Sequence, residues 1–160
     1  MKKSAINQRD YDLIGLLNQT TETIFRARQK ELNQYNISTS QGAVLFITKA
    51  LGEKATISEI SRWLLRKPHT VSEIVSRMEK RGLLKKARTP KRKSIIKVAL
   101  TPQGLEVYRK SKKRRSFRNI LSSLSLEERQ QMVAYLKKLK ESAINEMKSQ
   151  EETQLDINYF

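Results

Sequence analysis

The chain has 160 residues, of which 38% are hydrophobic, and a formal net charge of +17. Its length suits one domain, with or without a dimerisation appendage, and its positive charge indicates an anionic partner such as nucleic acid or an acidic membrane face. Because the sequence contains no cysteine, disulfides, thiolate zinc sites and thiol-based redox sensing are excluded.

The first ten residues contain basic side chains but no apolar segment after them. No run of the sequence approaches the roughly 18 apolar residues that a membrane span requires. We therefore expect a cytoplasmic protein with no membrane partner.

From about Gln8 to Gln34, apolar residues recur every three or four positions, which predicts one long helix. Such a helix has more apolar surface than one neighbouring motif covers, so a second subunit is expected to cover the rest. Residues 36–40 break the pattern and offer caps for a second helix that ends at Leu51-Gly52. Its inward-facing residues are expected to be Ala43, Val44, Phe46, Ile47 and Ala50.

Two short helices with a tight turn between them are predicted next. Thr56 is the expected N-cap of the first, with Glu59 completing a capping box and Trp63 in the core. Pro68 suits the first position of the second helix, and Gly82 suits its left-handed C-cap. The core face of this second helix is expected to contain Val71, Ile74, Val75 and Met78.

A basic hairpin follows, with a strand from Leu83, a loop around Pro90, and Ile96, Val98 and Leu100 alternating on the return strand. Thr101 and Pro102 are expected to open a helix that continues through the basic patch 109–115. Residues 83–115 contain 13 basic side chains and one acidic side chain, so most of the excess charge lies in the hairpin and this helix.

A last long helix is predicted from Ser125, with Glu128 as the reciprocal partner of this cap. Its spacing resembles a coiled-coil seam and is a second candidate for a subunit contact, formed by Met132, Leu136, Leu139, Ala143 and Met147. The predicted fold is mainly α with a small two-stranded β wing, a winged helix-turn-helix with dimerisation helices at both ends.

Three segments resemble the MarR family of winged-helix transcription regulators: residues 71–84, 98–104 and 124–129. With the long first helix, the similarity covers roughly residues 8–148. The resemblance implies an obligate homodimer with interlocked N- and C-terminal helices, which binds a pseudo-palindromic DNA operator and usually represses transcription. It also implies that a small ligand relieves repression by binding between the dimerisation helices and the DNA-binding lobe. The expected parts are a dimerisation helix at 1–36, a DNA-binding lobe at 37–101 and dimerisation helices at 102–160.

The winged layout predicts DNA contacts at two places. Those of the recognition helix are Pro68, His69, Thr70, Ser72, Ser76 and Arg77. Those of the wing are Lys91, Arg92 and Lys93. The family wing usually has an aspartate before its arginine. Here that aspartate is absent, which leaves Arg92 and Lys93 both as candidates for the minor groove and predicts a more mobile, more electrostatic wing. Basic residues 112–115 either flank the DNA or solubilise a helix.

The aromatic residues Tyr11, Phe25, Tyr35 and Phe46 are more often packing residues, but they are the candidate lining of a ligand pocket. No cofactor is expected. A metal site is not expected either, because His69 is the single histidine and no cysteine accompanies it.

We do not expect an enzyme, because the sequence offers no nucleophile with a base and no carboxylate pair. The alternative that the charge leaves open is a nucleic-acid packaging protein that tolerates any sequence and responds to no ligand. RNA binding is less favoured, because no aromatic stacking residues interrupt the basic stretch.

Overall fold

The computed structural model describes the backbone of residues 8–89 and 92–157 and the side chains of residues 8–88 and 95–149. In chain order the elements are α1 (Gln8–Asn33), α2 (Thr39–Leu51), a short 3-10 turn (Gly52–Lys54), α3 (Ile57–Leu64), α4 (Pro68–Lys80), β1 (Leu84–Thr89), β2 (Arg92–Leu100), α5 (Pro102–Ser111), α6 (Arg115–Leu121) and α7 (Leu126–Ile157). The strands pair antiparallel, from Leu84 opposite Leu100 to Arg88 opposite Ile96. The predicted fold class, mainly helical with a two-stranded wing, is confirmed.

The chain divides into two compact units, the first ending at Phe117 and the second beginning at Arg118. The core of the first unit brings together residues from α1, α2, α3, α4 and both strands: Leu32, Ile37, Val44, Leu45, Ile47, Ile60, Val71, Ile74, Val75, Met78, Leu83, Leu84 and Val98. The predicted core face of α4 is therefore confirmed. None of the described helices is long and apolar enough to span a membrane.

Three predicted core residues lie at the surface instead. Trp63 is 57% exposed, because the inward side of the eight-residue α3 carries Ile60 and Ser61, and residue 63 falls outside that stripe. On α2, Leu45 faces the core and Phe46 is 37% exposed. Ala50, one turn after Phe46, is exposed as well. Apolar character alone predicted their burial, and helix geometry overrides it.

Local sequence signals set most helix ends. The Thr56 hydroxyl accepts from the Glu59 amide at 3.2 Å, so the predicted N-cap is confirmed. The predicted capping box is wrong, because the Glu59 carboxylate lies 3.2 Å from the Arg62 guanidinium instead of bonding to the Thr56 amide. Ser125 and Glu128 form the predicted reciprocal cap, at 2.7 and 3.2 Å. Gly82 has a φ of +70°, the left-handed conformation expected after α4.

The start of α5 packs closely on the corner between α4 and β1. The Thr101 hydroxyl donates to the Gly82 carbonyl at 2.5 Å and accepts from the Gly104 amide at 3.0 Å. A β-carbon built on Gly104 would overlap the carbonyl oxygen of Leu83. Only glycine fits at this position without a shift of the backbone, so two segments distant in sequence are held in van der Waals contact.

The prediction of one helix through residues 109–115 is wrong. Helix α5 ends at Ser111, Arg114 has a φ of +44°, and α6 begins at Arg115. The Glu31 carboxylate accepts from the amides of Arg115 and Ser116, at 2.9 and 3.1 Å, and so caps α6 from a distant helix. A cap supplied from α1 leaves no signal in the sequence around the break.

Gly104→Ala should lower the free energy of unfolding by about 1–3 kcal/mol, because the added methyl group must displace the Leu83 backbone. Gly15→Ala is the matched control: no atom lies within 4 Å of its added β-carbon, so the change should stabilise α1 by up to about 1 kcal/mol. Urea denaturation measures both. Equal stabilities for the two variants would contradict the close packing at Gly104.

Candidate nucleic-acid interface

Helix α4 is oriented by its buried face, which fixes the direction of the predicted DNA-contacting residues. Pro68, at the start of the helix, and His69 are exposed, and Thr70 and Ser72 are partly buried. Arg77 is exposed further along the helix. The N-terminal end of α4 therefore presents polar side chains to solvent, as a helix that enters the major groove must.

The structure brings part of this helix together with the wing. Pro68, His69 and Ser72 line one groove with Ile95 and Ile96 of β2. The groove has a volume of about 830 Å³, and its lining also includes Lys54, Thr56, Ser58 and Glu59. None of these four residues was predicted from the sequence to contact DNA, although Ser58 stands directly after the helix start signal at Thr56-Ile57.

The predicted wing contacts lie outside what the structure describes, Lys91 as a whole and Arg92 and Lys93 in their side chains. The described part of the wing nevertheless presents cations. Lys85 and Arg88 on β1 and Lys97 on β2 are exposed, and none of them was singled out from the sequence.

Ser76 has a different environment from the other recognition-helix residues. It is partly buried, and its hydroxyl accepts a hydrogen bond from Nζ of Lys86 at 3.1 Å. The same ammonium lies 2.9 Å from a carboxylate oxygen of Glu79. The hydrogen bond from Lys86 holds the pKa of Glu79 below its usual value, although partial burial opposes this shift.

A cavity of about 130 Å³ lies between α1, α2, α5 and α6 in the first unit. Of the four predicted ligand-pocket aromatics, Phe25 and Phe46 line it. Tyr11 and Tyr35 are not among its lining residues: Tyr11 is 64% exposed on α1, and Tyr35 packs against the core. The Arg114 guanidinium lies 4.2 Å from the centre of the Phe46 ring, so the cavity combines aromatic and cationic groups.

Arg28, one of the residues that line this cavity, belongs to a buried ion pair. Arg28 lies 2.7 Å from Glu31 and donates to the carbonyl of Ser111 at 2.7 Å. Burial tends to raise the pKa of Glu31, but hydrogen bonds from Ser116, Arg28 and the backbone amides of residues 115 and 116 outweigh it and lower the pKa to about 2. The charged carboxylate therefore holds α1 against the start of α6.

Glu31→Gln should destabilise the protein near neutral pH, by at most about 3 kcal/mol, because the carboxylate pKa falls from its ordinary value of 4.5 to about 2 on folding. The lowered pKa stabilises the fold above pH 4.5, and this stabilisation is lost as the pH falls toward 2. The stability difference between parent and variant should therefore narrow over that range. Denaturation at several pH values measures it.

Glu22→Gln is the control for this substitution. Glu22 is on the same helix, but its side chain is 65% exposed and lies 3.9 Å from that of Arg26, so the change should have little effect at any pH. A Glu31→Gln effect that is equally large at pH 2 and pH 7 would contradict the assigned role of the carboxylate charge.

Comparisons with known proteins agree with this layout. Residues 35–93 match the model of the MarR family. No curated protein matches the chain. The ligand-bound structure of RdhR, an organohalide-sensing transcriptional regulator, is similar over 89% of this chain and 88% of its own, with 27% identity and a TM-score of 0.77.

Two further structures are similar. The S. aureus MepR-DNA complex shares 25% identity over 79% of this chain and 95% of MepR, with a TM-score of 0.74. The Streptomyces coelicolor regulator PcaV, in complex with its natural ligand, shares the fold at 24% identity, over 88% of this chain and 99% of its own, with a TM-score of 0.71.

Proposed function

We propose that this chain, which belongs to the MarR family of winged helix-turn-helix transcription regulators, binds a pseudo-palindromic DNA operator as a cytoplasmic homodimer and represses transcription. The observation that carries the proposal is the groove in which Pro68, His69 and Ser72 of α4 meet β2 of the wing. A helix end and a basic hairpin at one surface are the two parts that such proteins set into adjacent grooves of a duplex.

The groups on α4 suit base edges in different ways. His69 can both donate and accept a hydrogen bond, and the Ser72 hydroxyl can do the same. Arg77 can donate two parallel hydrogen bonds to guanine. The wing cations, including Arg92, supply contacts to phosphates, which strengthen binding to every duplex without reading sequence.

Each unit exposes an apolar helix face that a second copy can cover. On α1 this face includes Leu13 and Ile14, which are 52% and 61% exposed. On α7 it includes Met132, Leu136, Leu139 and Met147 of the predicted seam. Contiguous exposed apolar surface of this kind is typical of subunit contacts, which supports the proposed homodimer.

Footprinting on DNA beside the protein's own gene should reveal a protected site with two half-sites about one helical turn apart. At fixed salt, that duplex should bind about 10³-fold or more tightly than random duplex. Equal affinity for all duplexes would reject the regulator and favour the packaging protein.

Ser72→Ala or Arg77→Ala should reduce discrimination among operator variants, because each removes a group that reads base edges. Arg92→Ala should instead weaken binding to every duplex and reduce the slope of log affinity against log salt by about 1. Fluorescence anisotropy at several salt concentrations separates the two effects. An unchanged affinity and salt slope for Arg92→Ala would contradict the role of the wing.

The second part of the proposal is that a small ligand releases the protein from its operator. The cavity beside Phe25 and Phe46 supports it. Its volume of about 130 Å³ is comparable to the roughly 150 Å³ of a cavity that accepts benzene. Arg28 is already paired with Glu31, and two other cations line the cavity, Lys112 and Arg114. Arg114 is the better placed to bind an anionic group, because it is partly buried against the Phe46 ring whereas Lys112 is exposed. These features suit an anion with one aromatic ring.

Benzoate should therefore bind in calorimetric titration and lower the affinity for the operator. Arg114→Gln should weaken benzoate binding about tenfold, as expected for the loss of one charged hydrogen bond. Arg109→Gln is the control, because Arg109 is exposed on α5 and lies 4.0 Å from Glu106. If neither benzoate nor a phenol binds or alters operator affinity, the proposal that a ligand in this cavity releases the operator is rejected.

A further inference from the structure

Lys86 of β1 joins the wing to the recognition helix through both its backbone and its side chain. Its amide donates to one carboxylate oxygen of Glu79 at 3.0 Å, and its ammonium lies 2.9 Å from the other. The ammonium also donates to the Ser76 hydroxyl at 3.1 Å. We call Ser76, Glu79 and Lys86 the wing clamp.

The other strand of the wing, β2, is also hydrogen-bonded to a neighbouring segment, at the position opposite Lys86. Val98 of β2 faces Lys86 across the sheet, and its amide donates to the carbonyl of Ala55 at 2.9 Å, just before α3. In an antiparallel ladder, facing residues alternate between pairs bonded to each other and pairs whose amides point outward. Lys86 and Val98 form an outward pair, and the helix-turn-helix satisfies both amides.

The position of this pair determines how firmly the wing tip is held. Thr89, the last residue of β1 before the tip, lies three residues beyond Lys86, or about 10 Å along an extended strand. A tilt of about 10° at Lys86 would therefore displace the tip by about 2 Å, enough to misplace a group at a binding site. The wing clamp fixes the angle between β1 and α4.

We propose that Ser76, Glu79 and Lys86 are positioning residues that hold the wing at a fixed angle to the recognition helix during operator binding. This inference rests on the proposed DNA-binding function and deepens it. Ser76, predicted from the sequence to contact DNA, then acts through Lys86. Lys86, although one of the many cations of the wing, is neutralised by Glu79 and does not contact a phosphate.

Replacing Lys86 is the first test of the wing clamp. Lys86→Met should lower operator affinity about tenfold, because a wing held at the wrong angle loses part of its contacts to DNA. Lys85→Met is the matched control: it removes the same charge from the neighbouring, exposed position of the same strand. It should leave the wing angle intact, and any loss of affinity should come with a reduced salt slope.

Hydrogen exchange provides a readout that needs no DNA. In Glu79→Gln and Lys86→Met, the amides of β1 should exchange faster than in the parent, whereas in Lys85→Met they should not. Lys86→Arg keeps a cation in reach of Glu79 and should restore both slow exchange and operator affinity. Ser76→Ala is the milder variant and should give a smaller effect in the same direction.

The outcomes separate the two proposals. A reduced salt slope for Lys86→Met, with unchanged exchange of the β1 amides, would make Lys86 a phosphate contact and overturn the clamp. If the parent shows no preference for any duplex, the proposed operator binding fails. The exchange data would still show whether Glu79 and Lys86 hold the wing. If Lys86→Met does not fold, Ser76→Ala and Glu79→Gln provide the same comparison.

Discussion

A two-stranded sheet is too small to hold its own position in water, and the geometry of the DNA-binding unit follows from how this one is fixed. The close approach of Gly104 to Leu83 fixes the base of the wing against the start of α5. Further along the strands, the outward amides of Lys86 and Val98 bond to α4 and to Ala55, two residues before α3. Recognition helix and wing can therefore present one continuous surface.

A second constraint acts where α1 meets the junction of α5 and α6. A buried arginine is costly unless it is paired and hydrogen-bonded, and Arg28 has both Glu31 and the Ser111 carbonyl. Glu31 in turn satisfies the first amides of α6. This network ends α5 before the position expected from the sequence, and Arg114 is then placed over Phe46. A cavity forms where a continuous helix was expected.

Features that depend on neighbours in sequence were predictable. The left-handed Gly82 and the cap at Thr101 were both correctly predicted, because their partners lie within a few positions along the chain. Trp63 was misplaced because hydrophobicity does not specify which side of a short helix faces the core. The break before Arg115 depends on Glu31, 84 positions away, and no local pattern reveals it. The predicted DNA contacts of α4 and the wing stay predictions.

Hydrogen bonds from both edges of the wing to neighbouring segments limit the ways in which DNA binding can be regulated. With the proposed wing clamp, the recognition helix and the wing move as one rigid DNA-binding module, in contrast to the mobile wing expected from the sequence, and changes within this module have little scope to adjust affinity. In the proposed dimer, the adjustable quantity is then the distance between the two modules relative to the helical repeat of the duplex. An effector bound beside the Arg28 network would act on this spacing, because it touches helices outside the module.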